Sequence, residues 1–252
     1  MRVLTLLLLL WMAAPLSAAP RIAIIIDDIG YRRAQDEQVL ALPRSIAVAV
    51  IPGSPHGSQM AREAVAQQRE VLVHLPMEAM HDDAAQFARH DDALHSGDDE
   101  QQLRRRLQRA IVQVPGATGI NNHRGSKLTQ TTRSMRWLMH ALACQRNLYF
   151  IDSYTSADSV ALAEARRALV PATRRHVFLD HEPHADAIDA QIERLMDKAE
   201  QQGFALAIGH PLPATLIALT DLESRLAARG IELVSPGALV SVRDVTADAS
   251  AD

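Results

Sequence analysis

Short aliphatic runs recur along this chain, and segments with helical spacing separate them. The runs are Ile22–Ile26, Ile46–Ile51, Val71–Val73, Thr118–Ile120, Leu148–Ile151, His176–Leu179, Phe204–Ile208 and Ile231–Val234. Near-continuous Ile, Val and Leu suit strands that are buried on both faces of a parallel sheet. Between them, Leu103, Leu107, Ile111 and Val114 make one helical stripe, with Arg104, Arg105, Arg106 and Arg109 opposite. Asp98, Asp99 and Glu100 stand at its start, where negative charge suits the helix dipole. Further helices are expected over Ser134–Gln145, Ser159–Leu169, Asp186–Gln202 and Ala214–Ala228. Strands interleaved with helices in this way predict an α/β fold, a complete or incomplete (β/α) barrel, with a doubly wound open sheet as the runner-up. No glycine-rich phosphate loop follows the first run, which weakens a nucleotide-binding version of that sheet.

The first residues read as an export leader, expected over 1–19. Arg2 supplies the positive start, Leu4 to Ala14 the apolar run, and Ser17, Ala18 and Ala19 the small-residue cleavage site. That run is shorter than the ~20 residues needed to span a bilayer, so cleavage is expected to leave no stable membrane insertion. The mature protein is therefore expected to be exported, and periplasmic in a Gram-negative host. A net charge of −4 with 22% charged residues excludes a strongly basic nucleic-acid binder. Cys144 is the only cysteine, so no internal disulfide forms; it falls in a predicted amphipathic helix and is expected in the core. One domain is read over 20–241, with a small, acidic, disordered tail over 242–252. The polar stretch His81–Asp99, which holds His81, His90 and His95, is read as a solvated excursion over the barrel mouth, since its spacing matches no ligand set.

Function is signalled by where the polar residues fall. Ile22–Ile26 runs into Asp27 and Asp28; Val71–Val73 into His74, with Glu78 four residues on; Thr118–Ile120 into Asn121, Asn122 and His123. Leu148–Ile151 runs into Asp152 and Ser153, His176–Leu179 into Asp180 and His181, and Phe204–Ile208 into Gly209 and His210. In a parallel barrel all strand C-termini face one end, so these groups converge on one cleft. Buried charges are costly unless paired or bound to metal, so such a ring needs a reason. Each residue also has a plainer reading. The pair Asp27–Asp28 suits a helix N-cap with a neighbour, Asp152 and Asp180 structural caps at strand-to-helix turns, His74 a satisfied core histidine, and His123 and His210 polar turns.

The motifs Ile26-Asp27-Asp28-Ile29-Gly30, His74-Leu75-Pro76-Met77-Glu78, Asn121-Asn122-His123-Arg124-Gly125-Ser126, Phe150-Ile151-Asp152-Ser153, Val177-Phe178-Leu179-Asp180 and Ile208-Gly209-His210-Pro211 resemble, in order, those of the divergent polysaccharide deacetylase family. The resemblance covers about Ile22 to Leu239. It implies the deformed (β/α)7-8 barrel of NodB-like carbohydrate esterases and a glycan substrate or ligand. By the same resemblance Asp27 is the catalytic base, Asp28 and His74 are metal ligands, and His210 is the general acid. In those relatives a second histidine follows the first within one His-x-x-x-His motif. Here Glu78 stands in its place, and His123 is the nearest replacement. The relatives' arginine- and tryptophan-bearing motifs have no clear counterpart. Glu78, Asn122, Asp152 and Asp180 are expected to orient the ligands or touch substrate.

One carboxylate with two imidazoles suits zinc, and also accepts cobalt, nickel or manganese. The expected reaction is metal-dependent hydrolysis of N- or O-acetyl groups on an envelope or extracellular glycan. The alternative is a carbohydrate-binding or envelope-scaffolding barrel without catalysis. A metal-dependent hydrolase of another bond, such as a phosphoester, is a weaker third. No Gly-x-Ser-x-Gly elbow is present, which disfavours a serine nucleophile.

Overall fold

The computed structural model describes residues 18–82, 93–145 and 148–240. The expected leader lies outside them except for Ala18 and Ala19, and the expected tail 242–252 lies wholly outside. Nine strands are described: β1 (Arg21–Ile29), β2 (Ala47–Val50), β3 (Val71–Met77), β4 (Gly119–Arg124), β5 (Tyr149–Asp152), β6 (Ala172–Arg174), β7 (Val177–Phe178), β8 (Phe204–Gly209) and β9 (Glu232–Leu233). The described helices are α1 (Arg33–Leu40), α2 (Gly57–Ala66), α3 (Glu100–Gln113), α4 (Thr132–Ala143), α5 (Ala161–Arg167), α6 (Ala185–Gln202), α7 (Pro213–Ala218), α8 (Leu222–Ala228) and α9 (Pro236–Leu239). None of them is long and apolar enough to cross a membrane.

Strand order is β6-β5-β4-β3-β2-β1-β8-β7, with β9 added to β1, and the pairs are parallel. Among the described residues no ladder joins β6 to β7, so the sheet curls into an incompletely closed barrel. Alternation along each strand sorts its residues to two sides. Ala23, Ile25, Ala47, Ala49, Leu72, Tyr149, Ile151, Leu206 and Ile208 form one small cluster, the barrel interior. Ile22, Ile24, Ile26, Val48, Val50, Val71 and Val73 face outward into a larger core that includes Leu103, Leu107, Ile188, Ile192 and Leu195. All eight aliphatic runs thus contain strands. Asp99 caps α3 as its acidic start implies: its side chain accepts from Gln102 N, and the Gln102 side chain reaches back to Asp99 N.

Several expectations are corrected. The segment Ala214–Ala228 is two helices, because the chain turns at Leu219–Asp221 between α7 and α8. Cys144 is exposed at the end of α4 rather than in the core, since the helix stops at Ala143 and the stripe ends with Leu142. β6 was not anticipated; Ala172-Thr173-Arg174 is a three-residue end strand with no aliphatic run. The stretch His81–Asp99 is not wholly a solvated excursion. Residues 83–92 lie outside the described residues, but Ala93 and Leu94 are buried, Leu94 bridges to Met77, and buried Asp98 pairs with Arg106 at 3.3 Å.

Candidate functional site

The mouth of the barrel inherits the alternation of its strands. On β1 the inward series Ala23, Ile25 continues to Asp27, which is 3% exposed. Strict alternation would turn Asp28 the other way. The pairing of β1 with β2 passes from Ile26↔Val48 to Ile29↔Val50, so β1 carries one residue too many and bulges. Asp28 occupies the bulge at φ 61°, a left-handed conformation that a non-glycine residue adopts at a cost of about 1–3 kcal/mol. Both carboxylates consequently reach one atom: Asp28 Oδ1 lies 3.2 Å and Asp27 Oδ2 3.5 Å from His74 Nε2.

Register brings the second histidine in. β3 and β4 pair His74↔Asn121 and Pro76↔His123, so His74, Asn121 and His123 share the inner face. His74 Nδ1 meets Asn121 Oδ1 at 2.9 Å, and Asn121 Nδ2 donates to Asp27 Oδ1 at 2.7 Å. With Nδ1–H as donor, His74 Nε2 keeps its lone pair and turns it toward Asp28 and His123. His123 Nδ1 lies 3.2 Å from both His74 Nε2 and Asp28 Oδ1. The three atoms form a triangle with edges of 3.2 Å. Tetrahedral zinc, at bond lengths of about 2.0–2.2 Å, sets its ligands ~3.3 Å apart. Asp28 Oδ1 is also buried without a hydrogen-bond partner, as an acceptor reserved for a cation would be. Asp28, His74 and His123 thus fit a divalent metal in both spacing and donor chemistry.

The charges follow from this crowding. Burial alone would raise the Asp28 carboxyl, but the adjacent His123 and His74 imidazoles hold it below its ordinary value. Asp27 is raised, because its complete burial outweighs the attraction of His74 and His210. Burial lowers His123. His210, at the end of β8, is buried enough to be lowered, but Asp180 and the charges of Asp27 and Asp28 push it up to about 9. Asp180 holds it from two sides, accepting from His210 N at 2.6 Å and pairing with Nδ1 at 2.9 Å. Thr215 Oγ1 donates to the same carboxylate at 2.8 Å. His210 Nε2 is thereby aimed at Asp28 Oδ2, 3.9 Å away.

Not every expected residue arrives. Glu78 is not at the triangle; it pairs with Lys127 at 2.6 Å and accepts from Ser96 N at 2.7 Å, holding two loops together. Asn122 and Asp152 are one residue out of phase. Asn122 joins Arg124 O and Ser153 N, while Asp152 caps Tyr154 N and accepts from Ser159 Oγ. The inner face belongs to their neighbours Asn121 and Ser153, which a period-two count from Gly119 and Ile151 reaches. Arg175 was also missed. It follows β6, donates to Ser153 O and Tyr154 O, and lies 4.7 Å over the Phe178 ring. Burial lowers its guanidinium, and the charges of Asp27 and Asp152 oppose that shift.

A cleft of about 420 Å³ opens over the triangle, lined by Asp28, His123, His210, Tyr31, Arg32 and Leu212 among others. Residues 24–240 match the family model described as divergent polysaccharide deacetylase. The uncharacterized protein YibQ of Escherichia coli (strain K12) is 39% identical over 218 residues, 86% of this chain; the match spans 66% of YibQ, just under two thirds of its length. Two solved structures share the fold. One is an uncharacterized Agrobacterium tumefaciens C58 protein, with a TM-score of 0.83 at 22% identity, covering 91% of this chain and 92% of its own. The other is a Bacillus anthracis CE4 family pseudoenzyme, with a TM-score of 0.56 at 13% identity, covering 90% and 67%. The curled parallel barrel is the NodB-like (β/α)7-8 fold, and the chain belongs to the divergent polysaccharide deacetylase family.

Proposed function

We propose that this protein is an exported, metal-dependent deacetylase that hydrolyses N- or O-acetyl groups on an envelope or extracellular glycan. The observation that carries the reading is the triangle of Asp28 Oδ1, His74 Nε2 and His123 Nδ1, flanked by Asp27 on one side and the Asp180–His210 pair on the other. Asp28, His74 and His123 would hold the ion, zinc by donor type, and the ion when bound supplies Lewis acidity toward water and the acetyl carbonyl. Asp27, its carboxyl raised by burial, takes the proton from the attacking water. His210 is protonated at neutral pH and gives a proton to the departing nitrogen or oxygen. Asn121 ties Asp27 to His74, and Asp180 sets the His210 ring, so base, ligand and acid keep their relative positions. The leader-like start of the chain supports export.

The test is acetate release by the mature chain, stripped of metal and reloaded with zinc, from N-acetylated chito-oligosaccharides and an O-acetylated glycan. Release well above an Asp27→Asn control, abolished by chelation, supports the reading. Release no greater than that control, with glycan binding intact, would replace it with the non-catalytic carbohydrate-binding barrel.

A further inference from the structure

The wall of the cleft beside Asp28 is built more firmly than a surface loop needs to be. Directly after the β1 bulge the chain turns through Gly30 at φ 125°, where a Cβ would lie 1.9 Å from Ser54 Oγ. Gly30 N donates to the buried Asp36 carboxylate at 2.9 Å, and Gly30 O accepts from His56 N at 2.9 Å. Ile29 O accepts from Ile51 N at 3.0 Å. These bonds hold a short segment whose next two side chains, Tyr31 and Arg32, both line the cleft. Tyr31 is 48% exposed, so half of a large ring stands open next to the metal triangle. Arg32 donates no side-chain hydrogen bond and joins no ion pair among the described residues, although its charge is felt at Asp36. The groups that approach the carboxylates of the cleft are histidines rather than Arg32: His74 lies near both Asp27 and Asp28, and His123 and His210 near Asp28.

An open aromatic face beside an unengaged guanidinium, on a backbone that loses little freedom when a ligand arrives, is the chemistry of a binding subsite. The ring stacks on the apolar face of a sugar, and the planar fork of the arginine pairs with two oxygens of an anion. We propose that Tyr31 and Arg32 form a subsite for an anionic sugar unit, one bearing a carboxylate or phosphate oxyanion, adjoining the residue held at the metal triangle. This deepens the proposed function and rests on it for the identity of the ligand as a glycan.

The experiment measures binding and hydrolysis separately on the zinc-loaded mature chain. Binding is measured calorimetrically with Asp27→Asn protein at low ionic strength, using three probes of matched length. These are a neutral N-acetyl-chito-oligosaccharide, one alternating N-acetylglucosamine with glucuronate, and a phosphate-substituted one. The expected result is about tenfold tighter binding of an acidic probe than of the neutral one, and the preferred acidic probe identifies the oxyanion. Arg32→Gln removes that preference and leaves neutral binding unchanged, Arg32→Lys restores part of it, and Tyr31→Ala weakens all three probes. Equal binding of the three probes by Arg32 protein, or an Arg32→Gln loss that is the same for all, overturns the subsite. Acetate release is then measured with Asp27 intact. Its absence together with a persistent, Arg32-dependent acidic preference sinks the deacetylase reading and leaves the subsite standing.

Discussion

At the base of the barrel Tyr149, the first residue of β5, donates its hydroxyl to Glu70 at 2.8 Å. Glu70 also accepts from Ser235 Oγ at 2.8 Å and from Gly237 N at 2.9 Å, which fastens the short helix α9 under the sheet. On the same face, just past the other end of β5, Ser153 keeps a buried Oγ with no partner, and Asp28 across the mouth keeps an unpartnered Oδ1. One strand thus joins two polar layers of opposite character. Where every acceptor is satisfied, polar groups hold the fold. Where buried acceptors are left open beside a residue in a left-handed conformation such as Asp28, polar groups cost stability instead of adding to it, and the proposed metal site lies there. The two ends should therefore respond oppositely to substitution.

The largest effect belongs to the mouth. Asp28→Gly should abolish zinc binding and lower acetate release by ~10³-fold or more, while thermal stability of the metal-free protein is unchanged or rises, because glycine adopts the left-handed conformation without a Cβ penalty. Metal analysis, kinetics and melting on one preparation check this; retained zinc would refute the ligand assignment. Next comes His210→Gln, expected to cost about 10²–10⁴-fold in kcat with zinc content unaltered. Asp180→Asn should give a loss of the same kind and move the pH profile of kcat to lower pH, since the ring loses both its fixed orientation and the carboxylate that raises its pKa.

At the base the order of effects reverses. Glu70→Ala removes three hydrogen bonds, among them the carboxylate acceptor of the buried Tyr149 hydroxyl. A loss of roughly 2–4 kcal/mol in unfolding free energy is expected, with kcat and KM of the properly folded fraction unaffected. An activity loss that exceeds the loss of folded protein would break the separation of the two ends. The smallest effect is on pH dependence. Burial and the neighbouring Glu70 raise the Tyr149 phenol well above its ordinary 10.0. A raised phenol contributes stability that is fully present below about pH 10 and lost as pH climbs toward the folded value, because the unfolded chain releases its proton first. Melting temperature should fall more steeply above pH 10 in the wild type than in Tyr149→Phe, and parallel curves would count against it.

Much of this was legible from the residues alone. Aliphatic content located eight of the nine described strands, since a strand buried on both sides must be apolar throughout; β6 escaped because an end strand of Ala172-Thr173-Arg174 need not be. The polar ends of those strands located the mouth. What they left open was phase. Asn122 and Asp152 are as polar as Asn121 and Ser153, and the choice between each pair is made by which side of the pleat faces inward, one residue apart. Arg175 follows the strand that went unseen, so its place against Ser153, Tyr154 and Phe178 was hidden too.

The sequence by itself determined the alternation of strand and helix, the end of the barrel where ionisable residues gather, and the residue types found there, because burial and polarity are properties of each residue's own side chain. Only the tertiary structure decided that Asp27 and Asp28 reach the same imidazole and that His123, not Glu78, joins them. The first depends on a bulge measured against β2, and the second on the register of β3 with β4. Both are relations between strands distant along the chain, set by the packing of the whole sheet rather than by any local preference.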